Sequence, residues 1–104
     1  MNCPVIGGKN SREKVLEAFH NELVPAMEIF QPEAVFISAG FDAHHRDPLG
    51  GLDLIEADFF EMTAILKRIA EKFSKGRLIS VLEGGYNLEV IATSAAAHVE
   101  ALGV

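Results

Sequence analysis

The chain has 104 residues, of which 49% are hydrophobic, and its 15 acidic against 9 basic side chains give a net charge of −6. This length allows one small domain at most, and the acidic balance argues against a direct nucleic-acid partner. The single cysteine, Cys3, excludes an internal disulfide and indicates a reducing, cytoplasmic location, while no apolar run approaches the ~18 residues that a membrane-spanning helix needs.

After an N-terminal loop over residues 1–9, the sequence predicts a helix capped by Asn10 or Ser11, with Glu13 three residues after Asn10 as in a capping box. Apolar residues then recur at three- and four-residue spacing along one helix face: Val15, Leu16, Phe19, Leu23 and Met27. Pro25 falls inside this pattern and lacks a backbone N–H, so we expect the helix to kink or restart near Leu23. The segment should end by Phe30, since Pro32 disfavours helical geometry in the residue before it.

Two short apolar runs, 34–37 and 77–82, are predicted to be strands, and a helix over 55–73 connects them. Such a helical crossover makes the two strands parallel. A last helix over 88–102 begins at the cap Asn87 and is expected to face the core through Val90, Ile91, Ala95, Val99 and Leu102. The fold class is therefore α/β. Two strands are too few for a stable sheet, so we expect a single incomplete domain completed by further chain or by another subunit.

The candidate site lies in the loops that follow the two strands, 38–52 and 83–87. Parallel strands bring their carboxyl ends to one edge of the sheet, so Asp42 and Tyr86 should flank a single crevice. Asp42 and His44 are two residues apart, a spacing at which both side chains could reach one metal ion. The alternative is that Asp42 caps a turn while His44 and His45 are solvated.

The second loop carries two glycines, Gly84 and Gly85, immediately before the only tyrosine. Glycines between a strand and a helix could hold a phosphate, but the spacing of a dinucleotide fingerprint and the lysine of a P-loop are both absent. They could instead let the backbone and the Tyr86 phenol approach a substrate closely. A purely structural tyrosine is the competing interpretation. The segment Asp47–Gly51 in the first loop is read as turn chemistry.

Together these segments resemble a known family. Ser-Ala-Gly-Phe-Asp-Ala-His, then Asp-Pro-Leu-Gly-Gly-Leu, then Leu-Glu-Gly-Gly-Tyr-Asn-Leu are similar to motifs of the histone deacetylases, most closely of the class II and bacterial or acetoin-utilisation-like branch. The similarity runs over nearly the whole chain. It implies the parallel-sheet, three-layer, arginase-like deacetylase fold, with residues 1–104 as the C-terminal segment of the catalytic domain.

The resemblance also implies roles for individual residues. Asp42 matches the last of three zinc ligands, and Tyr86 matches the tyrosine that binds the substrate's amide carbonyl opposite the metal. Gly84 matches a glycine that lines the acetyl-lysine site, and Gly85 and Phe41 are expected to contact substrate with it. His44 and His45 match no ligand and are assigned to the loop near the rim of the site. The implied reaction is zinc-assisted hydrolysis of acetyl-lysine or of a small acetylamide.

The chain departs from the family pattern in what it lacks. The paired catalytic histidines and the other two zinc ligands of the family lie upstream of the matched motifs, so the isolated chain is expected to be inactive. The alternative is a stand-alone, non-catalytic module that pairs with another copy or a partner. A smaller departure is Ile55, where relatives often carry a helix-capping Ser or Thr; Asp53 is expected to cap that helix instead.

Overall fold

The computed structural model describes every residue from Met1 to Val104. The chain contains seven helical and strand segments. In chain order they are α1 (Ser11–Ala18), a π-helical segment (Phe19–Leu23), α2 (Val24–Phe30), β1 (Val35–Ala39), α3 (Glu56–Phe73), β2 (Leu78–Leu82) and α4 (Leu88–Leu102). The predicted order of elements is confirmed, although β1 covers 35–39 rather than 34–37. None of these helices combines the length and the apolar composition that a membrane span requires.

The first helical region changes its hydrogen-bonding pattern where the proline predicts it. The N–H of Val24 donates to the carbonyl of Phe19, five residues back, which is the bond of a π-helical turn. Pro25 has no N–H and occupies the first turn of α2, where helices tolerate proline. The restart near Leu23 is therefore confirmed. Helix α2 ends at Phe30 as predicted, because Gln31 adopts the left-handed conformation with φ 53°.

The predicted capping box at the start of α1 is wrong. Asn10 has φ 70° and its side chain makes no bond to the first turn. A capping side chain works from an extended residue, and the left-handed backbone of Asn10 does not provide that geometry. A backbone hydrogen bond stabilises the start of α1 instead, since the Ser11 N–H donates to the Gly8 carbonyl over 3.2 Å.

The cap of α3 also differs from the prediction. Asp58, in the first turn, accepts the backbone N–H of Ile55 over 2.8 Å and thereby closes the helix start. The same carboxylate accepts two bonds from the Arg12 guanidinium, at 2.7 and 3.0 Å, which ties α1 to α3. Asp53, the expected cap, is exposed.

Strands β1 and β2 pair in parallel, in a register that joins Val35 to Leu78 and Ala39 to Leu82. The predicted parallel pairing is confirmed. One face of this two-stranded sheet packs against helices, where Val35 joins a core cluster with Ile65, Ile69 and Ala70. A second cluster lies near the end of β1 and contains Ala39, Phe41, Leu54 and Phe59. The opposite face is open, with Phe36 70%, Ile79 52% and Val81 54% exposed.

The predicted core face of α4 is confirmed for Val90, which is 1% exposed, but not for Val99. The buried residues of α4 are Val90, Ser94, His98 and Ala101, whereas the expected core residue Val99 is 44% exposed. The polar member His98 is accommodated because both ring nitrogens are bonded, Nδ1 to Thr63 Oγ1 and Nε2 to Ser80 Oγ, each over 2.7 Å. His98 thus connects α3, β2 and α4 through polar contacts inside the core.

Candidate functional site

The two loops that follow the strands meet at one edge of the sheet. The N–H of Phe41 donates to the Gly84 carbonyl over 2.9 Å, and the N–H of Glu83 donates to the Ala39 carbonyl over 3.0 Å. These bonds extend the parallel pairing beyond the ends of β1 and β2, so residues 40–42 run beside residues 83–85. The prediction that the two loops meet at one edge of the sheet is therefore confirmed.

Asp42 lies directly against the glycine of the second loop. A Cβ built on Gly84 would lie 3.0 Å from the carboxyl carbon and both carboxylate oxygens of Asp42. A Cβ on Gly40 would lie 2.9 Å from Asp42 Oδ1. Real Cβ atoms essentially never come as close as the 2.9 Å found at Gly40, and the 3.0 Å found at Gly84 is tighter than nine in ten real Cβ contacts. A side chain at either position would therefore require the Asp42 side chain to shift.

Gly85 and Tyr86 continue the second loop past this contact. Gly85 has φ 141°, a conformation that favours glycine, and a Cβ there would lie 2.7 Å from Ile91. Tyr86 is 57% exposed, so its phenol is accessible at the surface of this edge. Asn87 then caps α4 as predicted, since its Oδ1 accepts the N–H groups of Glu89 and Val90.

The expectation that Phe41 contacts substrate does not fit its position. Its ring is only 3% exposed and makes edge-to-face contacts with Phe59 and His98, at centroid distances of 5.2 and 5.9 Å. Successive side chains of extended backbone alternate in direction, so Phe41 points into the core while Asp42 points out. Phe41 supports the site from the core side.

His44 is neither a metal ligand beside Asp42 nor a solvated side chain, and both interpretations of the sequence are wrong for it. The ring is 1% exposed, Nδ1 accepts the Arg46 N–H over 3.0 Å, and Nε2 lies 3.1 Å from Glu56 Oε1. Because Nδ1 is an acceptor, the ring proton of the neutral form is on Nε2, and this N–H donates to Glu56. Its neighbour His45 is exposed and stacks on it at 4.6 Å.

Glu56 is the partner that holds His44 from the start of α3. The Thr93 hydroxyl, the backbone N–H of Glu56 itself and His44 all bond its carboxylate. Together they outweigh the opposing effect of burial and lower the pKa of Glu56 to about 2. The hydrogen bonds of Glu56 to His44 and to Thr93 therefore attach the first loop to α3 and α4.

Asp42 fits the description of one metal ligand, but the chain does not assemble a complete metal site. Nowhere in it do three or more His, Cys, Asp or Glu side chains converge as a metal ion requires. A carboxylate is an ordinary zinc ligand, and a catalytic zinc site uses about three protein ligands. The remaining ligands of such a site would have to come from outside these residues.

The fold and the site define a parallel α/β protein with a carboxylate and a tyrosine in adjacent loops at the carboxyl edge of its sheet. Residues 1–102 match the histone deacetylase domain, and the chain belongs to the histone deacetylase family. The arginase-like fold expected from the sequence is confirmed by this membership and by the structural neighbours.

Three similar proteins illustrate the relationship. The chain is 43% identical over 102 residues to type-2 histone deacetylase 1 of Dictyostelium discoideum, covering 98% of the chain and 7% of that relative. It is 33% identical over 102 residues to a histone deacetylase-like amidohydrolase of Pseudomonas aeruginosa, covering 98% and 27%. The crystal structure of the HDA15 HD domain superposes with a TM-score of 0.80 at 37% identity, covering 97% of this chain and 27% of that one. The chain thus spans between 7% and 27% of the length of these proteins.

Proposed function

We propose that the edge formed by Asp42 and Tyr86 is one part of a zinc-dependent deacetylase site, and that the chain is the C-terminal segment of a larger catalytic domain. The observation that carries this proposal is the contact of the Asp42 carboxylate with Gly84, two residues before Tyr86. Two matched motifs of the family, distant in sequence, are brought together there. Members of this family generally depend on zinc.

Each residue of the edge has a role in this proposal. Asp42 binds the zinc ion as one of about three protein ligands. The ion, when bound, supplies a Lewis acid for the acetyl carbonyl. Tyr86 donates a hydrogen bond to the carbonyl oxygen as negative charge develops on it during hydrolysis. Gly84 and Gly85 leave backbone without side chains beside the acetyl-lysine chain.

The proposed substrate is an acetylated lysine or a small acetylamide, hydrolysed in a cytoplasmic compartment. We propose that the remainder of the catalytic domain or a second subunit supplies the other ligands and the general acid and base, so that the isolated chain is inactive. The open sheet face supports the need for such a partner. Phe36, Ile79 and Val81 are all more than half exposed there, and contiguous apolar patches commonly mark interaction sites.

The same open face also supports the alternative, a non-catalytic module that pairs with another copy or a partner. Sedimentation of the chain over a range of concentrations, with metal analysis of the same sample, separates the two. A concentration-dependent oligomer without zinc favours the module. A chain that stays monomeric over this range of concentrations counts against pairing with another copy.

The proposal is tested by completing the site with a relative's domain. In a chimera, this chain replaces the matching segment of the HDA15 domain, and zinc content and deacetylase turnover are measured. Asp42→Asn should lose both, since an amide oxygen is a weaker ligand than a carboxylate. Asp53→Asn removes the same charge from an exposed position between the first loop and α3 and should change neither. An Asp42→Asn chimera that keeps its zinc and its turnover would refute the proposal.

A further inference from the structure

One carboxylate in the first loop contacts both loops of the edge. Asp47 Oδ1 accepts the N–H groups of Leu49 and Gly50, over 2.8 and 3.0 Å. Its other oxygen, Oδ2, accepts the backbone N–H of Tyr86 over 2.8 Å. The sequence predicts only the turn, whereas the bond to Tyr86 reaches a residue 39 positions away.

The turn that Asp47 closes is packed against Asp42. A Cβ on Gly50 would lie 1.5 Å from the backbone carbonyl oxygen of Asp42, which no side chain can do. Gly50 is therefore in contact with the Asp42 backbone, and its own N–H is held by Asp47. Through its two oxygens, Asp47 connects the backbone of Asp42 to the backbone of Tyr86.

A second hydrogen bond joins the two loops at the residue after Tyr86. Asn87, while capping α4 with Oδ1, donates from Nδ2 to the Arg46 carbonyl over 3.2 Å. Arg46 and Glu89 add an exposed ion pair across the same two segments, at 3.1 Å. Tyr86 is thus flanked by bonds to Arg46 and Asp47, while its phenol stays free.

We propose that Asp47 is a positioning residue that sets Tyr86 relative to Asp42. This rests on the function proposed above, because it assigns to Asp47 the alignment of the group that binds the acetyl carbonyl with the residue that binds zinc. An oxyanion donor acts only when it lies at hydrogen-bond distance from the developing charge, so its backbone anchor affects the rate directly. Asp47 itself is not expected to touch substrate or metal.

The charge state of Asp47 suits this role. Burial disfavours its ionised form, but the three backbone N–H groups of Leu49, Tyr86 and Gly50 and the nearby His44 outweigh that effect and lower its pKa. The carboxylate is therefore ionised at neutral pH and accepts with both oxygens. Bonds to an ionised acceptor are stronger than those between neutral groups.

The hydrogen bond itself is tested by amide hydrogen exchange in the full chain. Asp47→Ala should reduce the protection of the Tyr86 N–H by about 10- to 150-fold, the range expected for losing a bond to a charged group. The Val35 N–H, bonded to the Arg77 carbonyl over 2.9 Å, is the internal reference and should not change. Arg46→Gln removes only the exposed ion pair and should leave Tyr86 protected. Unchanged protection of Tyr86, or an equal loss at Val35, would overturn the positioning role.

Turnover in the chimera described above tests whether the hydrogen bond from Tyr86 to Asp47 affects catalysis. Asp47→Ala should lower kcat with little change in KM, and it should cause no further loss once Tyr86→Phe is present, because both changes remove the same contact. A loss that persists undiminished in the Tyr86→Phe background would overturn the proposal. If Tyr86→Phe alone leaves kcat unchanged, the proposed function fails instead, while the exchange result still decides whether Asp47 holds Tyr86.

Discussion

The Cα of Gly84 lies so close to the Asp42 carboxylate that a single added methyl group would be 3.0 Å from three of its atoms. This contact joins a loop after β1 to a loop after β2. It places the one candidate metal ligand of the chain beside the segment that carries its only tyrosine. The pairing of the two strands and the absence of a side chain at position 84 together create the site.

Gly84→Ala should lower the free energy of unfolding by about 1–3 kcal/mol, the usual cost of forcing extra volume into a packed position. The cause is the collision with Asp42, so most of that cost should disappear when Asp42 is itself replaced by alanine. Urea denaturation of the two single variants and the double variant measures this. An equal cost in both backgrounds would mean that the Asp42 carboxylate does not occupy the space beside Gly84.

Asp58→Ala should destabilise the chain by about 2–3 kcal/mol, because it removes both the α3 cap and two charge-assisted bonds from Arg12. Arg12 is 43% exposed on its side chain and remains hydrated, so no buried charge is stranded. Asp53→Ala, at an exposed position, should change stability by no more than about 0.5 kcal/mol. Equal effects of the two substitutions in urea denaturation would contradict the assignment of Asp58 as the cap.

His98 should make the stability of the chain fall in mild acid. Burial lowers its pKa in the folded state, whereas the unfolded chain takes up a proton near the ordinary value of 6.5. Above pH 6.5 the ring is neutral in both states, and its full contribution to the free energy of unfolding is present. As the pH falls from 6.5 toward the folded-state pKa, the free energy of unfolding decreases by at most about 1.4 kcal/mol per pH unit. Unfolding curves at several pH values measure the slope. His98→Gln should flatten it, whereas His20→Gln, at an exposed position, should not; equal slopes in wild type and His98→Gln would exclude His98 as the cause.

The sequence predicts those features of the fold that depend on local chemistry. Pro25 lacks an N–H whatever its surroundings, so the restart of the helix follows from the residue itself. The two apolar strands and the helix between them lead to parallel pairing, since a helical crossover returns the chain in the same direction. The meeting of the Asp42 and Gly84 loops follows from that pairing.

Features that depend on distant partners are not predictable in this way. His98 is not among the apolar core positions predicted for α4, and it is buried because Thr63 and Ser80 bond its ring from two other elements. Asp47 reads as a turn residue, and its bond to Tyr86 exists only once both loops are in place. Asp58 caps α3 with a carboxylate that also binds Arg12, a pairing that spans 46 positions of sequence. In each case one polar group bonds residues of different segments, and a local sequence pattern cannot predict the bond to the distant segment.

The most direct test of the proposed function is the turnover of the chimeric domain with Tyr86→Phe. This substitution keeps the ring and removes only the hydroxyl, so folding and zinc binding should be unchanged. We expect kcat to fall by about 10²–10³, the usual effect of losing one oxyanion donor. A chimera that hydrolyses acetyl-lysine as fast with phenylalanine as with tyrosine would contradict it.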